Sequence, residues 1–386
     1  MVAVLALVPA CVEGDADRGK DRGRGARAGE RAASAGVAVA PRIPSGTDLP
    51  GSSVAVDFAR DGSGFALLAE CGKKRCRQRV AVLDKGADAW RLGRSPLADV
   101  TVEHGITATL RVLGPGRALI TEGVWPPPDR TWFTSDGGRH WRQGSARPSG
   151  TTPVLPEGVT LVEDCTRMDQ EGNGCEHSRV LTASPTTAEF RALATQPRLK
   201  GPLIPAGQTE DLVFVSGRDA SSGRVALAVS EDKGRSWRLS RPTGTGNSVW
   251  ALRVTGTGKV LYAAEPGQLP DEGNVKNGLL ALHRSTDAGR TWERVWEHRK
   301  GVDPRSLLGT PIAAADGSLT IHSESGVWRS TDGGRSFTRH GNSGGMSGWV
   351  TTTALGYLWG DSFGAGSWRV STDGVHWTKF ELGNGT

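Results

Sequence analysis

Short apolar or alternating runs recur along the whole chain: Val54-Ala-Val-Asp-Phe58, Phe65-Ala-Leu-Leu68, Ala118-Leu-Ile120, Leu212-Val-Phe-Val215, Arg224-Val-Ala-Leu-Ala-Val-Ser230, Lys259-Val-Leu-Tyr262 and Gly356-Tyr-Leu-Trp359. Bounded by Gly, Asp, Ser and Thr, such runs read as β-strands joined by tight turns. No long stretch carries helical periodicity; the best candidate, Ala188 to Gln196, is short. Gly makes up 54 of 386 residues, about twice average usage, as a fold built of turns requires. The pattern predicts an all-β protein.

Between pairs of strands one motif returns four times: Thr134-Ser-Asp136-Gly-Gly138-Arg-His-Trp141, Ser230-Glu-Asp232-Lys-Gly234-Arg-Ser-Trp237, Ser285-Thr-Asp287-Ala-Gly289-Arg-Thr-Trp292 and Ser330-Thr-Asp332-Gly-Gly334-Arg-Ser-Phe337. Each position has a structural reason. The Asp accepts backbone N–H bonds within its own turn, the Gly permits positive φ, and the aromatic buries apolar surface. Asp136 and Asp232 lie 96 residues apart, two periods of 48. A worn copy is therefore expected near residue 184, where Thr182-Ala-Ser184-Pro-Thr-Thr-Ala-Glu-Phe190 stands. Val82-Leu-Asp84-Lys-Gly86-Ala-Asp-Ala-Trp90 is a copy one residue long, and Ser371-Thr-Asp373-Gly374-Val-His-Trp377 a copy one residue short. Repeats of this period mark propellers and solenoids. Seven repeats of about 48 residues, each able to hold four strands of ordinary length, predict one seven-bladed β-propeller over 49–386.

The motif resembles the Asp-box, or BNR repeat, of sialidase-like β-propellers. In that family the box joins the third and fourth strands of a blade, on the face opposite the binding site. The resemblance implies that Asp84, Asp136, Asp232, Asp287, Asp332 and Asp373 are structural. The opposite face is then formed by the second-to-third-strand loops, near 71–78, 123–130, 164–177, 217–223, 265–278, 323–326 and 360–366. Trp250, Arg305 and Trp349 fall at the starts of inner strands on that open face, and Trp125 and Trp359 in or beside its loops. These five are the candidate ligand contacts, by stacking or gripping a ligand.

Residues 2–10 are apolar and end at Cys11. The run is too short to span a bilayer and resembles the end of a bacterial lipoprotein signal peptide, which implies a lipidated Cys11. A basic segment after Met1 is missing, so the expectation is that the start lies upstream. Cys71 with Cys76 and Cys165 with Cys175 form two local pairs, and with Cys11 they account for all five cysteines of an exported protein. The Gly/Ala/Arg/Asp-rich stretch that follows has little to bury; 12–48 is expected to be a tether. The protein is thus expected outside the cytoplasm, anchored to the cell membrane and monomeric.

The net charge of +6 is modest, and no nucleic-acid motif accompanies it. No His-x-x-x-His, Gly-x-Ser-x-Gly or phosphate loop is present, so neither metal nor cofactor is expected. Pro41-Arg42-Ile43-Pro44 echoes the Arg-Ile-Pro of sialidases, but only two Tyr exist, Tyr262 and Tyr357. Were the chain a glycosidase, Tyr357, Asp361 and Glu265 would be its candidate catalytic residues, with Asp271 and Glu272 on the same face. Such boxes also occur in non-enzymes similar to the photosystem II assembly factor and sortilin-type propellers, which bind proteins. The leading expectation is a non-catalytic module that binds a protein or cell-envelope glycan; the alternative is an exo-acting, sialidase-like glycoside hydrolase.

Overall fold

The computed structural model describes residues 40–102, 108–123, 130–171, 174–244, 250–270, 272–341, 348–361 and 366–385. The lipidation call at Cys11, the tether up to residue 39, Trp125 and Asp271 lie outside these residues. The chain from Val39 onward is one compact unit, and it is a seven-bladed β-propeller. Blade one comprises Ser52–Phe58, Gly64–Cys71, Arg75–Leu83 and Arg91–Leu92, with Val100–Thr101 added beside the third strand; blade two comprises Thr109–Gly114, Arg117–Thr121, Arg130–Thr134 and Arg142–Ser145. Blade four is Lys200–Gln208, Val213–Arg218, Val225–Ser230 and Arg238–Ser240; blade five is Arg253–Thr257, Val260–Gly267, Gly278–Ser285 and Glu293–Glu297. Blade six is Ile312–Ala313, Leu319–Ser323, Gly326–Ser330 and Thr338–Arg339; blade seven is Trp349–Thr352, Tyr357–Gly360, Ser367–Ser371 and Thr378–Glu381.

Blade three differs. Its strands Leu161–Met168, Cys175–Ala183 and Phe190–Leu193 hold the second, third and fourth places, and Thr151–Thr152 completes the four-stranded sheet by pairing parallel with Phe190–Leu193 on the outer edge. The connection from blade two thus runs outside blade three before entering it.

The core is divided among the crevices between blades. Phe65, Leu67 and Val80 of blade one meet Val112 and Ile120 of blade two, Phe214 and Leu227 of blade four meet Val254 and Leu261 of blade five, and the remaining neighbouring pairs are filled in the same way. Alternation along each strand sends successive side chains to opposite faces, so every central strand fills two crevices.

The repeated turns lie between third and fourth strands, and their bonding is uniform. The Thr134 hydroxyl donates to Asp136 (2.9 Å) and accepts from the Gly138 N–H (3.0 Å). Ser230, Ser285 and Ser330 do the same to Asp232 and Gly234, Asp287 and Gly289, and Asp332 and Gly334, all at 2.7–2.8 Å. The short copy keeps the pattern through Ser371, Asp373 and Gly374. Where the pattern is worn the bonds change: Asp84 holds Arg91 at 2.8 Å, and Ser184 accepts from the Thr187 N–H at 3.1 Å. The indole N–H of Trp141, Trp237 and Trp292 reaches back to Arg94, Thr195 and Ser240 of the preceding repeat, so the aromatic locks one blade to the last.

The ring closes between blades seven and one. Residues 41–46, expected to belong to the tether, run beside the last strand. Thr378 Oγ1 donates to the Pro41 carbonyl, Gly46 N to Glu381 O at 2.8 Å, and Gly383 N to Gly46 O at 3.0 Å. Ile43 and Leu49 are buried there, which is why this stretch packs although its composition resembles a linker. Arg42 is exposed and pairs with Asp88 in the turn of blade one, while Ile43 beside it is buried in the core.

Candidate ligand-binding site

First strands begin, and second strands end, on the face opposite the repeated turns. Both disulfides form on that face, Cys71–Cys76 closing the hairpin of blade one and Cys165–Cys175 that of blade three. The long loop of blade five carries its own small core of Leu269, Val275 and Leu280. Of the six exposed large hydrophobic residues among those described, Trp250, Trp349, Val54 and Val302 all lie on this open face.

A cavity of about 610 Å³ opens on this face beside Val54 and Trp349. Val54, Ala55 and Val56 of blade one form one wall, Trp349, Leu358, Gly360 and Trp368 of blade seven another, and Asn277, Leu308 and Glu324 of blades five and six the far side, with Asp361 at the rim. Strand register explains the aromatic wall. Trp349 pairs with Gly360 and Gly360 with Trp368, so all three side-chain positions share the sheet face turned toward blade one. A Cβ on Gly360 would stand 2.4 Å from the Trp368 ring; glycine lets that ring lie across the strand. The Trp368 indole donates to Ser53 Oγ at 2.7 Å, fixing its orientation. Trp349, 39% exposed, is held differently: the Arg253 guanidinium sits 4.6 Å from its ring centroid and is itself tied to the Gly309 carbonyl.

The candidate residues separate in space. Trp349 and Asp361 line the cavity, and Trp250 is exposed just before the first strand of blade five. Arg305 is half-exposed and engaged with Asp303 (3.3 Å) and Glu272 (3.7 Å), which makes it part of the wall of blade five. Trp359 is a correction. It is only 6% exposed and packs with Ile312 and Val350 between blades six and seven, with Arg369 over its ring. One residue from Gly360, it takes the opposite sheet face and enters the core.

The three candidate glycosidase residues do not converge. Tyr357 and Asp361 lie at opposite ends of one strand, roughly 13 Å apart at about 3.3 Å per residue. The Tyr357 hydroxyl donates to the Ala313 carbonyl (3.1 Å) and meets Thr255 Oγ1 (3.0 Å); burial pushes its pKa up, the wrong direction for a nucleophile. Glu265 is buried against His283 (3.3 Å) beneath a separate cavity of about 110 Å³ lined by Arg218, Arg224 and Gly244. Trp368, Glu324 and Arg253 were not singled out by sequence reasoning, although Glu324 falls in a loop assigned to this face.

A second cavity of about 610 Å³ opens on the turn-bearing face, lined by Asp57, Arg60, Arg111, Gln208, Glu210 and Thr353 among others. Asp57 is absorbed by the fold there. It accepts the N–H groups of its neighbour Phe58 (2.8 Å) and of Val112 in blade two (2.6 Å). Burial raises its pKa to about 6 despite those bonds and the nearby Arg111.

No family model matches the chain, and no curated protein matches it. Solved structures similar to it include the β-propeller domain of the Trilobed protease from Pyrococcus furiosus, with 8% identity, TM-score 0.42, and 85% of this chain and 92% of that one covered. The α-L-arabinofuranosidase Arb93A of Fusarium graminearum, bound to an iminosugar inhibitor, is 10% identical, with TM-score 0.37 and coverage of 80% and 87%. YCF48 bound to a D1 peptide is 12% identical, with TM-score 0.34 and coverage of 89% and 87%.

Proposed function

We propose that this propeller is a non-catalytic binding module whose open-face cavity grips a protein or glycan ligand. One observation carries the reading: the cavity on that face is walled by Trp368 and by the exposed Val54 and Trp349. An aromatic platform in a concave, partly apolar site is the usual form of a recognition pocket. The repeated turns belong to the Asp-box type in this reading, and their aspartates serve the scaffold. The two disulfides support an oxidising compartment, and a lipid on Cys11 would anchor the molecule to the outside of the cell membrane.

One feature favours the hydrolase alternative: Asp361 and Glu324 share the cavity, and glycosidases work with two carboxylates. A single set of assays decides between them. The full chain is offered fluorogenic sialosides and arabinosides, a peptide array and an oligosaccharide panel. The binding reading expects no turnover and at least one retained ligand that is lost with Trp349→Ala. Turnover abolished by Asp361→Asn would sink it.

A further inference from the structure

The lining of the open-face cavity has a charge pattern opposite to that of the chain. The chain carries +6, yet the charged side chains lining the cavity among the described residues are Asp361 and Glu324, both carboxylates. The remaining surface is apolar or aromatic, apart from the Asn277 amide and the Thr351 hydroxyl. Arg253, stacked on Trp349, is occupied by the Gly309 carbonyl. A ligand with an apolar stem and a positive tip matches both halves of this surface: the stem lies along Trp349, Trp368 and Val54, and the tip meets the carboxylates.

Resting on the open-face binding reading, we infer that the cavity takes a basic peptide segment, with an Arg or Lys side chain inserted between the tryptophan wall and Asp361 and Glu324. Arg suits the geometry best, since its planar guanidinium stacks on indole and pairs with a carboxylate at once. A neutral glycan would use the tryptophans but gain little from the two negative charges, and an anionic glycan would be repelled by them.

The test uses the full chain and four probes: acetyl-(Gly-Arg)4-amide, its citrulline counterpart, its glutamate counterpart and neutral oligosaccharides, measured by titration calorimetry at low and high salt. The arginine peptide is expected to bind, to weaken with salt, and to lose about tenfold or more in affinity with Glu324→Gln plus Asp361→Asn. Trp349→Ala is expected to weaken it further, and thermal melting confirms that each variant folds. Equal binding of the citrulline peptide, or unchanged affinity in the double variant, overturns the inference. Trp349-dependent binding of a neutral oligosaccharide alone also overturns it while leaving the open-face reading intact. Arginine-peptide binding indifferent to Trp349→Ala, Glu324→Gln and Asp361→Asn overturns both.

Discussion

Blade six holds two glycines with nearly the same backbone and very different surroundings, and exchanging each for alanine separates conformational from packing cost. Gly317 has φ +80° and a Cβ there would meet nothing within 4 Å; Gly334 has φ +89° and a Cβ would stand 2.8 Å from Leu282 Cδ2 and 3.2 Å from Val295 Cγ2. Left-handed backbone costs an L-residue about 1–2 kcal/mol, so Gly317→Ala should lose roughly that much. Gly334→Ala pays the same and must also displace Leu282, which is fully buried in the crevice between blades five and six. Overpacking of this kind adds about 1–3 kcal/mol, for a total of roughly 2–5 kcal/mol. The hydrogen bond from the residue 334 N–H to Ser330 survives the change, so it does not blur the comparison. Guanidinium unfolding followed by tryptophan fluorescence gives both values, and melting should shift about 2 °C for each kcal/mol in a domain of this size. If the two variants agree within about 0.5 kcal/mol, the repeated turn does not press against the neighbouring blade and the packing argument fails.

The two tryptophans of blade seven should divide structure from recognition. Trp359→Ala empties a crevice position and should cost about 3–5 kcal/mol, whereas Trp349→Ala should leave the melting temperature nearly unchanged; chemical denaturation of both checks this. Stability should also respond to acid in two opposite steps. Asp57 titrates near pH 6 in the fold against an ordinary value of 3.8, so the folded state binds its proton first and stability rises as pH falls from about 6 toward 4. The turn aspartates Asp136, Asp287, Asp332 and Asp373 are depressed by their hydrogen bonds; their contribution is present above pH 4 and is lost as pH falls toward the folded values. Melting temperature against pH should therefore peak near pH 4–5, and Asp57→Asn should remove the rise on the alkaline side. A monotonic profile for the parent chain would contradict this assignment.

The blade count was legible because the turn chemistry of Ser230, Asp232 and Gly234 repeats with a fixed period, and Asx-type turns are encoded locally. The two faces followed from the same turns, so Trp349 and the loops holding Glu324 and Asp361 could be placed before any coordinates. Trp359 could not. It differs from Trp349 by which sheet face it takes, and that depends on register with a strand ten residues away. The parallel pairing of Thr151–Thr152 was equally hidden, since two residues carry no pattern. Residues 41–46 read as linker because their burial comes from contact with the far end of the chain, which local composition does not record.

That closure has a directional consequence. Pro41 meets Thr378 at the start of the last strand, and Arg42 meets Asp88 in the turn of blade one, so the chain boards the ring on its turn-bearing side. From there it climbs beside the last strand to Gly46 and Leu382 before the first blade begins. Tension applied through residue 40 would bear on the seam between blades seven and one, the same seam whose upper end forms the tryptophan wall. The seam that takes in residues 41–46 is thus also the blade pair that frames the cavity.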